Sequence, residues 1–255
     1  MAKVIAVSNQ KGGVGKTVTA INLSAALNSF GKRVLLIDLD PQSDASRGLS
    51  IDVTLLQYSI FEVLLNNIDI NKVIFKTGSD GFDIVPSKLP SYSIEFLAVK
   101  FEDPYTLLKS AINKIHNNYD YIIIDCPPSL GFLTYNAFNA ANTVLIPVQC
   151  EYFAMEAVSQ MLASIAKIQQ TSNPDLTIEG FLLTMFDSKS NHSTETTIQI
   201  RSLFKENTFS TIVPRNISIP ESNSLGTPVT LYRKNSQGAQ AYFSLAREIL
   251  DKENL

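Results

Sequence analysis

The run Lys11-Gly12-Gly13-Val14-Gly15-Lys16-Thr17 concentrates three glycines, two lysines and one hydroxyl in seven residues. Glycines spaced in this way let the backbone fold tightly, so that consecutive N–H groups converge on phosphate oxygens. A helix that opens at once behind the run adds the positive end of its dipole. In that setting Lys16 reaches the outer phosphates of a nucleotide, and the Thr17 hydroxyl ligates Mg²⁺. The match to the standard loop, G-x-x-x-x-G-K-[ST], is incomplete. Its first glycine falls on position 10, which is Gln10, and an additional lysine stands at Lys11.

Three carboxylates have the spacing to work with such a loop. In Asp38-Leu39-Asp40-Pro41-Gln42 two acids lie two residues apart at the end of an apolar run, so on an extended segment they point the same way. Asp40 before Pro41 also fits a turn or helix-capping aspartate. The run Tyr121 to Ile124 closes in Asp125-Cys126-Pro127-Pro128-Ser129, and a buried strand ending in one aspartate brings a carboxylate to the Mg²⁺ side of bound phosphates. The cysteines are Cys126 and Cys150 alone, too few for a disulfide framework or a four-cysteine zinc site, so both are expected in the core.

These groups need elements to hold them. Short runs rich in Val, Ile and Leu recur with helix-length segments between them, the pattern of buried parallel strands joined by crossover helices. Seven strands are expected: Val4 to Ser8, Val34 to Asp38, Phe82 to Pro86, Tyr121 to Asp125, Thr143 to Pro147, Ile178 to Met185 and Thr211 to Pro214. Helices are expected at Thr17 to Ser29, Ser59 to Leu65, Asp103 to Asn117, Ala154 to Gln170, Ser193 to Lys205 and Gln237 to Asp251, and the stretch from Gln42 to Ser59 reads as loop with one short helix. With no repeat and no linker rich in Pro, Gly or Ser, the expectation is an α/β fold in which a single doubly wound, mostly parallel sheet covers the whole chain. A composition of 45% hydrophobic and 18% charged residues excludes disorder as the main state. The start MAKVIAVSNQ has no basic flank before a long apolar stretch, so a cytoplasmic protein without a membrane segment is expected.

Lys-Gly-Gly-Val-Gly-Lys-Thr resembles the deviant Walker A loop of the ParA/MinD group of ATPases, whose extra lysine is the signature lysine. The resemblance implies an ATP-dependent homodimer in which two subunits face each other across two ATP molecules and Lys11 of one reaches the nucleotide of the other. It implies ATP and Mg²⁺ as cofactors, with the nucleotide on Lys11, Gly12, Gly13, Val14, Gly15, Lys16, Thr17 and Val18. Val18 replaces the threonine common next in this loop. By the same resemblance Asp40 positions the attacking water, Asp38 supports Mg²⁺ and the loop, and Asp125 is the Walker B acid. Thr17, Asp38 and Asp125 thus form the metal set, and Lys11, Lys16, Asp40 and Asp125 the catalytic one. Leu183-Thr184-Met185-Phe186-Asp187 and Pro214-Arg215-Asn216 resemble the segments beside the adenine, which makes Met185, Pro214 and Asn216 the base contacts.

Within the group, Asn-Gln-Lys-Gly-Gly-Val-Gly-Lys-Thr, Asp-Leu-Asp-Pro-Gln and Asp-Cys-Pro-Pro-Ser-Leu-Gly are most similar to the short ParA type, often called Soj. That branch implies ATPases for chromosome or plasmid partitioning that bind DNA without sequence preference, associate with the nucleoid when ATP-bound, and are released when a ParB-type partner stimulates hydrolysis. The short form lacks a DNA-reading extension, so no specific operator is expected. The alternative is a MinD-like positioning ATPase that uses a membrane or protein scaffold, but the acidic ending Asp251-Lys252-Glu253 does not fit a basic membrane-seeking helix. No membrane partner is expected.

The net charge of −3 does not by itself suggest nucleic acid, but a total averages over faces. From Asn207 to Arg247 four cations oppose the single acid Glu221, a net of +3 that leaves −6 for the rest. Lys189, Arg215, Arg233 and Lys234 are the candidate DNA contacts. Close relatives in this family usually have arginine where this chain has Ser218 and Gln237, so weak, salt-sensitive binding is expected. Arg233 and Lys234 also fit a plain solvated turn.

Overall fold

The computed structural model describes residues 1–78, 81–88, 101–151 and 154–253. Among these residues eight strands form one sheet: β1 (Lys3–Val7), β2 (Val34–Asp38), β3 (Phe75–Lys76), β4 (Asp83–Val85), β5 (Tyr121–Asp125), β6 (Thr143–Gln149), β7 (Thr177–Phe186) and β8 (Thr208–Pro214). Their order is β3-β4-β2-β5-β1-β6-β7-β8, and every neighbouring pair is parallel except β3 with β4. The α/β doubly wound expectation therefore holds. Its seven strands are all present, and β3 is additional. Two residues of exposed, antiparallel edge are too short to leave an alternation in the sequence.

Among the described residues the α-helices are α1 (Lys16–Ser29), α2 (Asp44–Arg47), α3 (Ile60–Asn66), α4 (Leu107–Ile112), α5 (Phe132–Ala140), α6 (Ala154–Thr171), α7 (Asn191–Phe204), α8 (Ser218–Ser224), α9 (Val229–Tyr232) and α10 (Gln237–Lys252). The fully apolar strands are explained by two packed layers. On β2 and β5, Leu35, Ile37, Ile122 and Ile124 face a core shared with Phe61, Leu108, Phe138 and Met161. The alternate residues Val34, Leu36, Tyr121 and Ile123 face the other core, with Leu23, Leu27, Tyr242 and Leu245. A strand buried on both faces has no polar side to show.

Local chemistry sets the helix boundaries. Ser59 accepts from the N–H of Phe61 while Glu62 reaches back to the Ser59 N–H at 2.7 Å, a capping box that starts α3. The expected helix from Asp103 to Asn117 contracts to α4 followed by a 3₁₀ turn at His116–Asn118. Its start is fixed by Asn136 of α5, whose Oδ1 accepts from the Leu108 N–H at 3.1 Å. Helix α5 itself has no polar face, since Phe132, Leu133, Asn136, Ala137, Phe138 and Asn139 are all buried, and so it shows no amphipathic period in the sequence.

For the site, the decisive feature is that β5 inserts between β1 and β2. The register sets Asp125 opposite both Val7 and Asp38. The glycine-rich loop after β1, the paired acids after β2 and the aspartate closing β5 thus meet at one edge of the sheet, where β1 is also flanked by β6. This is the carboxyl-end crevice of doubly wound sheets.

Candidate nucleotide-binding site

Gly13 and Gly15 adopt φ values of +74° and +89°, the left-handed region that side chains with a Cβ avoid. Gly15 ends the loop directly before α1, and no side chain caps that helix, so its first N–H groups stay available for an anion. The loop is held from outside. Thr184 at the end of β7 donates to the Val14 carbonyl at 2.9 Å, and Asn9 bridges the Lys11 N–H at 3.0 Å to the Pro147 carbonyl at 2.7 Å.

Lys16 is buried, and its Nζ donates to the Lys11 carbonyl at 3.3 Å across the loop. Burial pulls its pKa down, and the charges of Asp125 and Asp40 pull it partly back. Lys11 is half-buried and takes a different direction, with its Nζ 3.2 Å from Glu151 just beyond β6.

The three acids differ in what satisfies them. Asp38 is fully buried and saturated: Oδ2 accepts from the Ser46 N–H at 2.8 Å and the Ser46 hydroxyl at 2.6 Å, and Oδ1 from the Asp40 N–H at 3.2 Å. Burial still pushes its pKa up to about 7, against those hydrogen bonds. Asp40 keeps one oxygen on the Gln42 N–H at 2.9 Å, and burial raises it too. Asp125 is fully buried, and neither oxygen has a hydrogen-bond partner of regular geometry. Burial first, then the charge of Asp38, hold it well above the usual carboxylate range, with the Thr17 hydroxyl and Lys16 acting in the opposite sense.

A buried, unpartnered carboxylate is costly unless a cation completes it. Among the described residues no cluster of three or more His, Cys, Asp or Glu is arranged to hold a metal. The orphaned Asp125 carboxylate fits Mg²⁺, which keeps several waters and takes one or two protein oxygens beside substrate phosphates. Asp125 and Thr17 are the groups here that suit it. Cys126 next to Asp125 is a buried free thiol, pushed up by burial, and Cys150 is likewise buried and free, as expected of core residues.

Beside the loop lies a cavity of about 470 Å³ lined by Gly15, Val18, Met185, Pro214, Asn216 and Tyr242, among others. Its lining is predominantly apolar, suited to a flat heteroaromatic ring. Asn216 spends its Oδ1 on the Ser218 N–H at 3.0 Å, which leaves the amide Nδ2 as donor. Met185 holds φ at +52°, an uncommon conformation for a residue with a Cβ. Because Thr184 grips Val14, the end of β7 that presents Met185 to the cavity is tied directly to the glycine-rich loop.

The structure therefore brings together the expected Lys16, Thr17, Asp38, Asp40 and Asp125, and it groups Val18, Met185, Pro214 and Asn216 around one cavity. Sequence reasoning passed over Tyr242, Thr184, Ser46, Ser87 and Glu151. Thr184 lay inside a segment already singled out, but the serines gave no signal, because their partners are more than 40 residues apart in the chain in one case. Of the candidate DNA contacts, Arg233 is engaged within the chain. Arg233 lies 3.5 Å from Glu221, donates to Ser218 at 3.3 Å and stacks on the Tyr232 ring. Lys189, Arg215 and Lys234 are exposed.

Residues 2–178 match the family model described as "AAA domain". The chain is 43% identical over 249 residues to the sporulation initiation inhibitor protein Soj of Bacillus subtilis, covering 98% of each. It is 44% identical over 253 residues to the chromosome partitioning protein ParA of Myxococcus xanthus, covering 99% of this chain and 89% of that one. A crystal structure named cobyrinic acid a,c-diamide synthase, from Mycobacterium smegmatis, with bound ADP and magnesium, superposes with a TM-score of 0.88 at 35% identity, covering 100% of this chain and 96% of that one. A glycine loop braced against β7, three acids at the ends of β2 and β5, and identity above 40% along almost the whole length agree: the chain belongs to the ParA/Soj family of chromosome partitioning ATPases.

Proposed function

We propose that the whole chain acts as one Mg²⁺-dependent ATPase that hydrolyses ATP to ADP and phosphate as a homodimer, and that nucleotide state controls its binding to DNA. The observation that carries this reading is the convergence of Lys16, Asp40 and the unpartnered Asp125 on one loop. Phosphoryl transfer needs little covalent help from a protein. It needs fixed positive charge around the transferring group and an oriented nucleophile.

The residues divide that work. Backbone N–H groups from Gly12 to Thr17 and the open start of α1 cradle the phosphates, and Lys16 sits over the outer ones. Mg²⁺, when bound, neutralises charge on the phosphate oxygens, with Thr17 and Asp125 as its protein side. Asp38 supports that side through the loop it anchors. Asp40 orients the attacking water. Since orientation matters more than base strength in a loose transition state, its modest basicity is sufficient. Lys11, delivered by a second copy, would complete the charge and couple assembly to turnover. Met185, Pro214 and Asn216 would hold the adenine.

A ParB-type partner as activator, non-specific DNA as track and a cytoplasmic, nucleoid-associated location follow from family membership. Exposed Lys189, Arg215 and Lys234 support weak DNA contact. The alternative is a MinD-like positioning ATPase that uses a membrane or protein scaffold, and against its membrane form stands the packing of the last helix. The apolar face of α10 is spent on the core through Ala239, Tyr242, Leu245 and Ile249, and among the described residues no helix is long and apolar enough to cross a membrane. The test is ATP turnover and DNA co-sedimentation by the purified protein with Mg²⁺ at low salt. Turnover that Lys16→Ala abolishes, with ATP-dependent DNA retention, is expected. A wild-type protein without Mg²⁺-dependent turnover would refute the proposal.

A further inference from the structure

Three side chains, those of Asp38, Ser46 and Ser87, close a ring on the backbone of Asp40. The Asp40 N–H donates to Asp38 Oδ1 at 3.2 Å. The other oxygen of Asp38 accepts from the Ser46 hydroxyl at 2.6 Å. That hydroxyl in turn accepts from the Ser87 N–H at 3.0 Å, and the Ser87 hydroxyl donates to the Asp40 carbonyl at 2.6 Å. The ring joins three separate pieces of chain: the end of β2, helix α2, and the segment that follows β4. Asp38, Ser46 and Ser87 are each fully buried, and Asp40 is nearly so.

We infer that Ser46 and Ser87 are positioning residues for the hydrolytic step, acting through Asp40. This rests on the proposed ATPase reading and deepens it. Residue 40 is held on the N–H of the peptide before its Cα and on the C=O of the peptide after it, which limits rotation about both backbone bonds at that Cα and sets the direction in which the Asp40 side chain leaves the backbone. The carboxylate has little else to fix it, because its one hydrogen bond is to the Gln42 N–H two residues ahead, in the same loop. The Asp40 carbonyl also accepts from the Ser43 N–H at 2.9 Å within its own turn, and the Ser87 hydroxyl is the contact that ties this turn to the segment after β4. A water-orienting carboxylate loses effectiveness steeply when displaced by a fraction of an ångström. Neither serine reaches the loop that holds the phosphates, so their effect should fall on the chemical step and leave ATP affinity intact.

The ring also explains why the two buried aspartates of the register pair differ. Asp38 spends both oxygens on protein donors and belongs to the scaffold of the Asp40 turn. Asp125 keeps both for other partners.

The test compares wild type, Ser87→Ala, Ser46→Ala and Ser87→Thr by steady-state ATP hydrolysis and by equilibrium binding of a fluorescent ATP analogue, with melting curves for each. Ser87→Ala and Ser46→Ala should each lower kcat about tenfold, with analogue affinity within about twofold of wild type, and Ser87→Thr, which keeps the hydroxyl, should restore most of kcat. Unchanged kcat in Ser87→Ala, or loss of affinity in step with kcat, or equal loss in Ser87→Thr, would overturn the inference. An inactive wild type would instead remove the ATPase reading on which it stands.

Discussion

The Nζ of Lys11 lies 3.2 Å from Oε2 of Glu151, and the other oxygen of Glu151 is steadied by the Gln149 amide at 2.7 Å. Lys11 is thus held within its own chain by an acid just beyond β6. Both partners are partly solvent-exposed, which puts the pair in the range of about 0.2–1 kcal/mol. If Lys11 must leave Glu151 to reach a second subunit, two such pairs break per dimer, and Glu151→Gln should tighten ATP-dependent dimerisation, by no more than about thirtyfold. Sedimentation of Asp40→Ala protein with ATP, with and without Glu151→Gln, measures this. A weakened dimer would mean that Glu151 serves the dimer and does not restrain the lysine.

Lys16 makes a sharper case. It is buried beside Asp125 and Asp40, whose charges favour its ammonium form. Lys16→Ala should remove nucleotide binding and leave the protein monomeric with ATP, whereas Asp40→Ala should bind ATP normally and accumulate as an ATP-bound dimer with turnover reduced by at least about 10². Size-exclusion chromatography with ATP separates the two outcomes. Equal dimerisation by wild type and Lys16→Ala would count against assembly through the nucleotide.

The contrast between Lys16 and Lys11 shows where the sequence was readable. Lys16 and Thr17 are local to a motif whose backbone path is dictated by Gly13 and Gly15, so their placement follows from seven residues. The strands were readable because burial on both faces makes them continuously apolar. What Lys11 touches depends on β6 lying next to β1, and the pairing of Asp38 with Asp125 depends on β5 inserting between β1 and β2. No local pattern carries those adjacencies. Helix α5 and strand β3 were missed for opposite reasons: one is buried nearly all round and shows no period, the other is too short to show one.

Asp125 makes the unliganded protein sensitive to pH. Its pKa and that of Asp38 are raised by burial above the ordinary value of 3.8, Asp38 to about 7. The folded state therefore holds more protons than the unfolded chain between about pH 4 and pH 7, and stability without nucleotide falls as pH rises through that window. Asp125→Asn removes a buried, unpartnered charge. It should raise the Tm of the nucleotide-free protein at pH 8 by a few degrees, with little change near pH 4, and abolish the further stabilisation by Mg²⁺ with ATP. Asp38→Asn should do the reverse at pH 8, because one of the oxygens that three donors now share becomes an N–H₂. Thermal scans at the two pH values decide it; a lower Tm for Asp125→Asn at pH 8 would contradict the assignment.

Arg233 sets the last prediction. Its guanidinium is engaged by Glu221 and Ser218, so it should contribute less to DNA binding than its position suggests, while Lys234 next to it is exposed. Each lost phosphate contact lowers the slope of log affinity against log salt by about 0.9, and a dimer carries every site twice, so Lys234→Ala should lower the slope by about 1.8. Arg233→Ala should change it by less. Glu221→Gln should strengthen binding by releasing Arg233, an effect greatest at 50 mM salt and fading by about 200 mM as screening takes over. Titration of ATP-trapped Asp40→Ala protein onto non-specific duplex DNA across that salt range measures all three. A larger loss from Arg233→Ala than from Lys234→Ala would show that binding breaks the Glu221 pair and recruits Arg233 to the phosphates.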